Sequence, residues 1–552
     1  MTARFKFPPL LLIFCLLVSC IEDEGKYEQI ITNEVTYLSV LQGFSFTSGE
    51  EVEVTAPIEF SEPFANEADI DGHFEISWFV DSELIATGYR IRYTFNKVGG
   101  FSLIFKTVNR ETGETYISDS YNVESKSAIG WGWMILSDFG DGKSSLSFIS
   151  PASLYASYRL EELFGIEDGI GTGPKSLHYY YVLGSIPGNY VSGLPKIIVN
   201  QSSGTVSLDG RDLQKDKWMR DEFEGGREPE ADFTMTGFAW KGNFYLICTA
   251  EGNVYVRTMP RDYDDIPYYG TYSSMPYAFE GGADIKYFNG FQNVTYWTSG
   301  EDSALMYDEA NSRFLVFVRG GYGNEYAPQP VYLSYYDEEG EFGPGVPPVN
   351  SLGSGTRCIA AGAYEKVYTD PEYGGLTFYP RYVALLDMYG NGDYQVYTFT
   401  VNPMDRNSHM ITENSITPFS GGGLMTENSL VKMSSNFEKN PFFYFTDGDR
   451  NLYVYSMSAG THALAYTAPS RITDICASPI VCEFKNYGGN SESVNWRLAL
   501  GQEDGTVSVV DVSNSKMVRL FEGASPDLGI KTLTGFGNIV DMVWATNYEG
   551  EY

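Results

Sequence analysis

The groups in this sequence that could do chemistry are a few thiols, four imidazoles and many carboxylates, and their spacing decides what kind. His73, His178, His409 and His462 are scattered with neither HExxH nor HxH spacing, so they read as turn or packing residues rather than metal ligands. The sequence has no Walker loop, no GxGxxG between strand and helix and no GxSxG nucleophile elbow. Two acidic stretches, "DFGDGKSS" from 138 and "TDGDRN" from 446, have the composition of calcium loops. They lack the regular Asp spacing and closing Glu of an EF-hand, which favours plain Asp/Gly hairpin turns. With 72 acidic residues some carboxylate pair always looks suited to glycoside cleavage, so none is singled out. The reading is of a chain with no catalytic residue, no metal and no cofactor.

Cys20 is the exception among the thiols. Arg4 and Lys6 precede an apolar run from Leu10 to Val18, too short for a bilayer span, which needs about 20 residues. The run ends in Leu17-Val18-Ser19-Cys20, which resembles the bacterial lipoprotein box. That resemblance implies a signal peptide over 1–19, cleavage before Cys20 and acylation of its thiol and new amino group. Several acyl chains make a stable anchor where one is marginal. The alternative is an ordinary cleaved leader with an incidental Cys. Glu22, Asp23 and Glu24 follow in an acidic tether over 20–27, similar to the export signal that sends Bacteroidota lipoproteins to the outer face of the outer membrane; a solvated acidic linker is the alternative. Cys248, Cys358, Cys476 and Cys482 are too sparse for a disulfide scaffold and form no CxxC zinc pair. Cys476 and Cys482 are close enough in sequence to bridge, though isolated Cys more often pack as small hydrophobes.

The formal charge is −35, and losing Arg4 and Lys6 with the leader makes it −37. A surface of that sign repels phosphate backbones, which excludes nucleic acid as a natural partner.

The elements that must carry any site are β-strands: 42 Tyr, 35 Phe and 58 Gly recur in short alternating runs. Only "ASLYASYRLEELF", 152 to 164, reads as a helix. Residues 28–126 predict a small sandwich of immunoglobulin type, with Trp78 as its large core aromatic. From 127 to 552 a two-strand unit with an acidic or Gly-rich tip recurs, starting at 133, 196, 244, 304, 382, 442 and 497. Extra apolar strands precede several of these hairpins. The C-terminal "NIVDMVWATN" has no hairpin after it, while the hairpin at 133 has no strand before it. These features predict a β-propeller of seven blades in which the chain end supplies the first blade's missing strand and removes a sheet edge.

Long connections rich in Tyr, Pro and Gly separate the units, and loops of this length are functional or loosely ordered. Tyr offers a flat apolar ring and a hydroxyl at low entropic cost. Tyr268, Tyr269, Tyr272, Tyr322, Tyr326, Tyr335, Tyr336, Tyr373 and Tyr379 are therefore candidates for a ligand or partner surface, the alternative being packing between blades.

"YTFNKVGGFSLIFKTVN" resembles the second half of a PKD domain, although "WFVDSE" at 78 to 83 replaces the usual "WDFGDG". Together with the leader and a repeated domain opening "GWGWMILSDF", this resembles the PKD-like family lipoproteins of Bacteroidota. The resemblance implies a non-catalytic accessory or binding lipoprotein on the cell surface, beside a SusC/SusD-type, TonB-dependent uptake system for oligopeptides or glycans. A surface glycoside hydrolase or lyase on a propeller, and an adhesin, are the alternatives.

Overall fold

A computed structural model describes residues 33–38, 43–96, 98–127, 129–130, 132–151, 153–186, 189–241, 244–257, 271–290, 303–318, 329–332, 334–335, 345–369, 376–403, 409–433, 442–478 and 497–545. The described chain is nearly all β and divides into two compact units. One comprises residues up to Phe44, Glu51–Tyr93 and Gly100–Glu124; the other comprises Ser125 onward with the short segments Ser45–Glu50 and Thr94–Gly99.

The first unit centres on an antiparallel sheet in which Phe74–Val80 lies between Glu83–Thr87 and the long strand Gly99–Asn109. Alternate residues Phe74, Ile76 and Trp78 are buried, the period-2 pattern of a strand with one apolar face. Trp78 is the core aromatic expected: its indole N–H donates to the Gly88 carbonyl at 2.9 Å and its ring lies 5.0 Å from that of Phe105. The "VDSE" segment turns through Asp81 and Ser82, both left-handed with φ of 46° and 76°. Two consecutive left-handed residues suit the right-handed twist of a tight hairpin.

The second unit carries seven small sheets in succession among the described residues. Each contains one of the hairpins read from the sequence. The innermost strands are β1 (Pro174–Ile186), β2 (Met235–Lys241), β3 (Ile285–Gly290), β4 (Arg357–Thr369), β5 (Val431–Met433), β6 (Ile472–Ala477) and β7 (Asn538–Ala545). Each touches the next, and β7 returns to β1, so the inner strands form a closed circuit. The strand β7 belongs to the first sheet. It runs antiparallel to Gly132–Asp138, with Trp133 opposite Trp544 and Ile135 opposite Met542. The chain end thus pairs an edge that would otherwise be open. The architecture is propeller-like.

Packing explains why the central strands are buried on both faces. Trp133 and Ile135 face the seventh sheet, where they meet Cys476, Ala499 and Val509. Met134 and Leu136 face the second sheet, against Leu177, Tyr179 and Ile197. Equivalent clusters lie between each following pair of sheets. A two-stranded hairpin alone is marginal in water, and burying a large apolar side chain contributes roughly 1.5–3 kcal/mol, so these interfaces hold the units together.

The acidic tips serve the same scaffold. Asp138 Oδ1 accepts from Gly140 N at 2.7 Å and Gly142 N at 2.9 Å, and Asp447 Oδ1 accepts from Asp449 N at 3.0 Å and Asn451 N at 3.3 Å. Their carboxylates fasten their own turns. Asp308 and Asp387, fully buried at the ends of two central strands, pair with Arg313 and Arg357.

The helix expected over 152–164 is not formed. Ala156–Ser157 instead pairs with Phe148 and Ile149 as the outer strand of the first sheet, and only Leu160–Leu163 is helical. Leu154 and Arg159 are both left-handed, with φ of 49° and 50°, which breaks the helix on either side of the strand.

Candidate functional site: an acidic pair on the inner strands

Four polar side chains on four inner strands of the second unit are linked through the charge of Lys432. His178 is on β1, Lys432 on β5, Asp474 on β6 and Asp541 on β7. Lys432 is exposed, while the other three are half-buried despite sitting on the innermost strands. Its charge acts on both carboxyls and on the imidazole.

The two carboxyls differ in their partners. Asp541 Oδ2 accepts from Leu177 N at 2.7 Å and its Oδ1 from Met542 N at 2.9 Å, so it ties β7 to β1. Asp474 Oδ1 accepts from Ile475 N at 2.7 Å, whereas its buried Oδ2 forms no hydrogen bond. The two carboxyls lie close enough to act on each other electrostatically. Burial raises the Asp474 carboxyl to about 7, the Asp541 charge adds to the rise, and Lys432 opposes it. Asp541 is also raised by burial, with Leu177 N and Lys432 opposing. His178 is pushed down to about 4 by burial, against the hydrogen bond of Nε2 to the Met235 carbonyl at 2.7 Å. The arrangement places a carboxylic acid that keeps its proton to about neutrality near one that accepts two backbone N–H groups. Such a pairing can act as a general acid and base if a substrate reaches it.

The tyrosine candidates separate on the structure. Tyr272 is only 2% exposed: its ring lies 5.3 Å from Phe223, and the Arg257 guanidinium sits 4.5 Å over it. It is a packing residue, because its backbone bridges to Phe223 and Arg257 and so draws the ring into the core of the third sheet. The backbone of Tyr335 pairs with Ile411 in a short parallel strand, and that of Tyr379 pairs with Lys366. Tyr268, Tyr269, Tyr322, Tyr326, Tyr336 and Tyr373 lie outside the described residues, as do Cys20, Glu22, Asp23 and Glu24.

Other candidates are placed in packing roles. Ring nitrogen Nδ1 of His73 meets the Asp69 carbonyl oxygen at 2.8 Å and that of His462 meets Ser420 Oγ at 3.0 Å. Cys248, Cys358 and Cys476 are free thiols that burial pushes well up, which makes them poor nucleophiles; Cys482 lies outside the described residues. Among the described residues no group of three or more His, Cys, Asp or Glu side chains is arranged to hold a metal ion.

No protein-family model matches this chain, and no curated protein does. Solved structures do. A quinonprotein alcohol dehydrogenase-like protein from Bacteroides thetaiotaomicron is similar at 12% identity and a TM-score of 0.39, covering 93% of this chain and 98% of its own. Yeast RCC1 (Prp20), in complex with Kap60, gives 9% identity and 0.31, over 77% and 85%. A DUF4784 family protein from Bacteroides caccae gives 8% and 0.27, over 79% and 95%.

Sequence reasoning missed one surface feature. A cleft of about 550 Å³ opens beside the first sheet's outer strand, lined by Leu154, Tyr155, Ala156, Ser157, Tyr158, Leu163, Lys531 and Leu533. Tyr155 is 70% exposed and Tyr158 41% exposed. The Tyr158 hydroxyl donates to the Thr534 carbonyl at 2.8 Å, and Lys531 Nζ donates to the Leu154 carbonyl at 2.8 Å, so both polar tips clasp the last sheet to the first. The "LYASY" run carries the signal, but helical spacing concealed it.

Proposed function

We propose that this chain is a lipid-anchored protein of the outer membrane's outer face, with a PKD-like sandwich as spacer and a seven-bladed propeller as the working domain. Its role is non-catalytic: it binds or presents an oligomeric nutrient, peptide or glycan, to a SusC/SusD-type transporter. The observation that carries this reading is the order Leu17-Val18-Ser19-Cys20 followed by Glu22-Asp23-Glu24. A circuit of seven sheets supports it, since such a scaffold offers a broad face of connections between sheets. Affinity capture of the tagged chain from solubilised outer membrane, followed by mass spectrometry of the partner proteins and of its own N-terminus, tests the proposal. Recovery of a transporter pair with an acylated Cys20 supports it. An unmodified N-terminus, or capture with no transporter, overturns it.

A second reading, a surface glycoside hydrolase or lyase, is favoured by one observation, the interacting Asp474 and Asp541 carboxyls on adjacent inner strands. Turnover of a glycan or peptide by the natural chain, abolished in Asp474→Asn with the fold retained, is the result that selects it.

A further inference from the structure

The Asp474–Asp541 pair sits at the place where the circuit of inner strands closes. Asp474 is on β6, the last inner strand before the chain leaves for the outer strands, and Asp541 is on β7, the strand that returns to complete the first sheet. Counting donors shows what the pair needs. Both oxygens of Asp541 already accept a backbone N–H, and Oδ1 of Asp474 accepts one more. Asp474 Oδ2 is buried and forms no hydrogen bond, the neighbouring Met542 N being given to Asp541 Oδ1. Two carboxylates cannot hydrogen bond to each other unless one supplies a proton, and the unfilled oxygen is where that proton fits.

We propose that Asp474 and Asp541 share one proton across the closing seam of the circuit, so that β7 is held most firmly while the pair carries a single negative charge and loosens when both carboxyls ionise.

The titratable and charged groups that act on the pair are Lys432 from β5 and Cys476 from β6 itself, and His178 on β1, one residue on from the Leu177 N that Asp541 accepts, is turned to the Met235 carbonyl. The imidazole and the thiol are neutral when the pair gives up its proton, because burial lowers the first and raises the second. Lys432 is then the one facing cation among the described residues, and as an exposed side chain it offsets only part of the repulsion. Burial outweighs it at both carboxyls. Loosening acts directly on β7 because Asp541 also holds Leu177 N. The inference rests on neither functional reading above, and a chain that fails to bind a transporter or to turn over a substrate leaves it standing.

Hydrogen exchange of the full chain at pH 5.5, 7.0 and 8.5, corrected for intrinsic rates, tests it. Amides of Asn538–Ala545 are expected to lose at least tenfold in protection over this range, relative to those of Phe442–Thr446. In Asp474→Asn the side-chain amide donates without titrating, and protection is expected to stay flat. An unchanged pH dependence in that variant, or none in the natural chain, overturns the proposal. Should Asp474→Asn not fold, infrared titration of the natural chain decides: a protonated carboxyl band bleaching with a midpoint near 7 supports the shared proton, and its absence overturns it.

Discussion

The Trp133 indole N–H donates to the carbonyl oxygen of Cys476 across 3.1 Å, joining the first sheet of the second unit to its last. The same ring meets Trp544 of β7 edge-on at 5.0 Å and is fully buried. One side chain therefore holds three parts of the closing seam. Trp133→Ala is expected to destabilise the second unit by about 3–5 kcal/mol, the usual cost of emptying a large aromatic site. Trp133→Phe keeps most of the packing but orphans the carbonyl, and should cost about 1–3 kcal/mol. Urea unfolding followed by the fluorescence of the remaining tryptophans distinguishes the two.

The "GWGW" motif has a steric reason at its second glycine. A Cβ on Gly132 would lie 2.2 Å from the Ile149 carbonyl oxygen and 2.6 Å from the Phe148 ring. Backbone cannot yield as a flexible side chain can, so Gly132→Ala should force the first hairpin apart. The expected loss is about 1–3 kcal/mol, the range for overpacking, with faster proteolysis at the first sheet. A variant as stable as the natural chain contradicts the close approach.

Much of this scaffold was legible because its signals are local. Period-2 apolar runs around Asp/Gly tips marked all seven hairpins, and an orphan strand in "NIVDMVWATN" anticipated the pairing of β7 with Gly132–Asp138. β1 escaped notice because "PKSLHYYYVLGSI" mixes Lys, His and Tyr into its apolar pattern. The 152–164 segment misled because nothing in its composition announces two left-handed non-glycine residues. Tyr272 shows a different limit: a Tyr-rich loop looks the same whether its ring meets solvent or stacks under a buried arginine. The Asp474–Asp541 pair was beyond sequence reasoning altogether. Its members are far apart in the chain, each is an ordinary Asp in a strand, and only closure of the circuit brings them together.

Arg257 and Glu222 form a buried ion pair beneath the third sheet, with Arg257 fully buried over the Tyr272 ring and Lys217 as a second partner of the carboxylate. A buried pair is weak evidence for stability, but removing one member leaves an uncompensated charge. Glu222→Gln is expected to cost about 3–5 kcal/mol. Arg257→Lys should also destabilise, because an ammonium cannot reproduce the planar stack on Tyr272. Equilibrium denaturation of both variants provides the check, and a double variant replacing both charges by apolar groups should recover part of the loss.

His178 and Asp474 make opposite contributions to stability as pH changes. The Asp474 carboxyl is raised from its ordinary 3.8 to about 7 in the folded chain. Its contribution is fully present below about 4, where folded and unfolded forms are both protonated, and is lost as pH rises to about 7. His178 is lowered from its ordinary 6.5 to about 4. Between those values the unfolded chain binds the extra proton, so this contribution grows as pH rises. From pH 4 to 6.5 the two therefore offset, each with a limiting slope of about 1.4 kcal/mol per pH unit. Asp474→Asn should leave a profile in which stability rises with pH through this window. His178→Gln, which keeps a donor for the Met235 carbonyl, should leave one that falls relative to the natural chain. Urea midpoints at pH 4.5, 5.5 and 6.5 read both slopes, and parallel profiles for the two variants would contradict the assignment of a neutral acid and a neutral imidazole to the centre of the circuit.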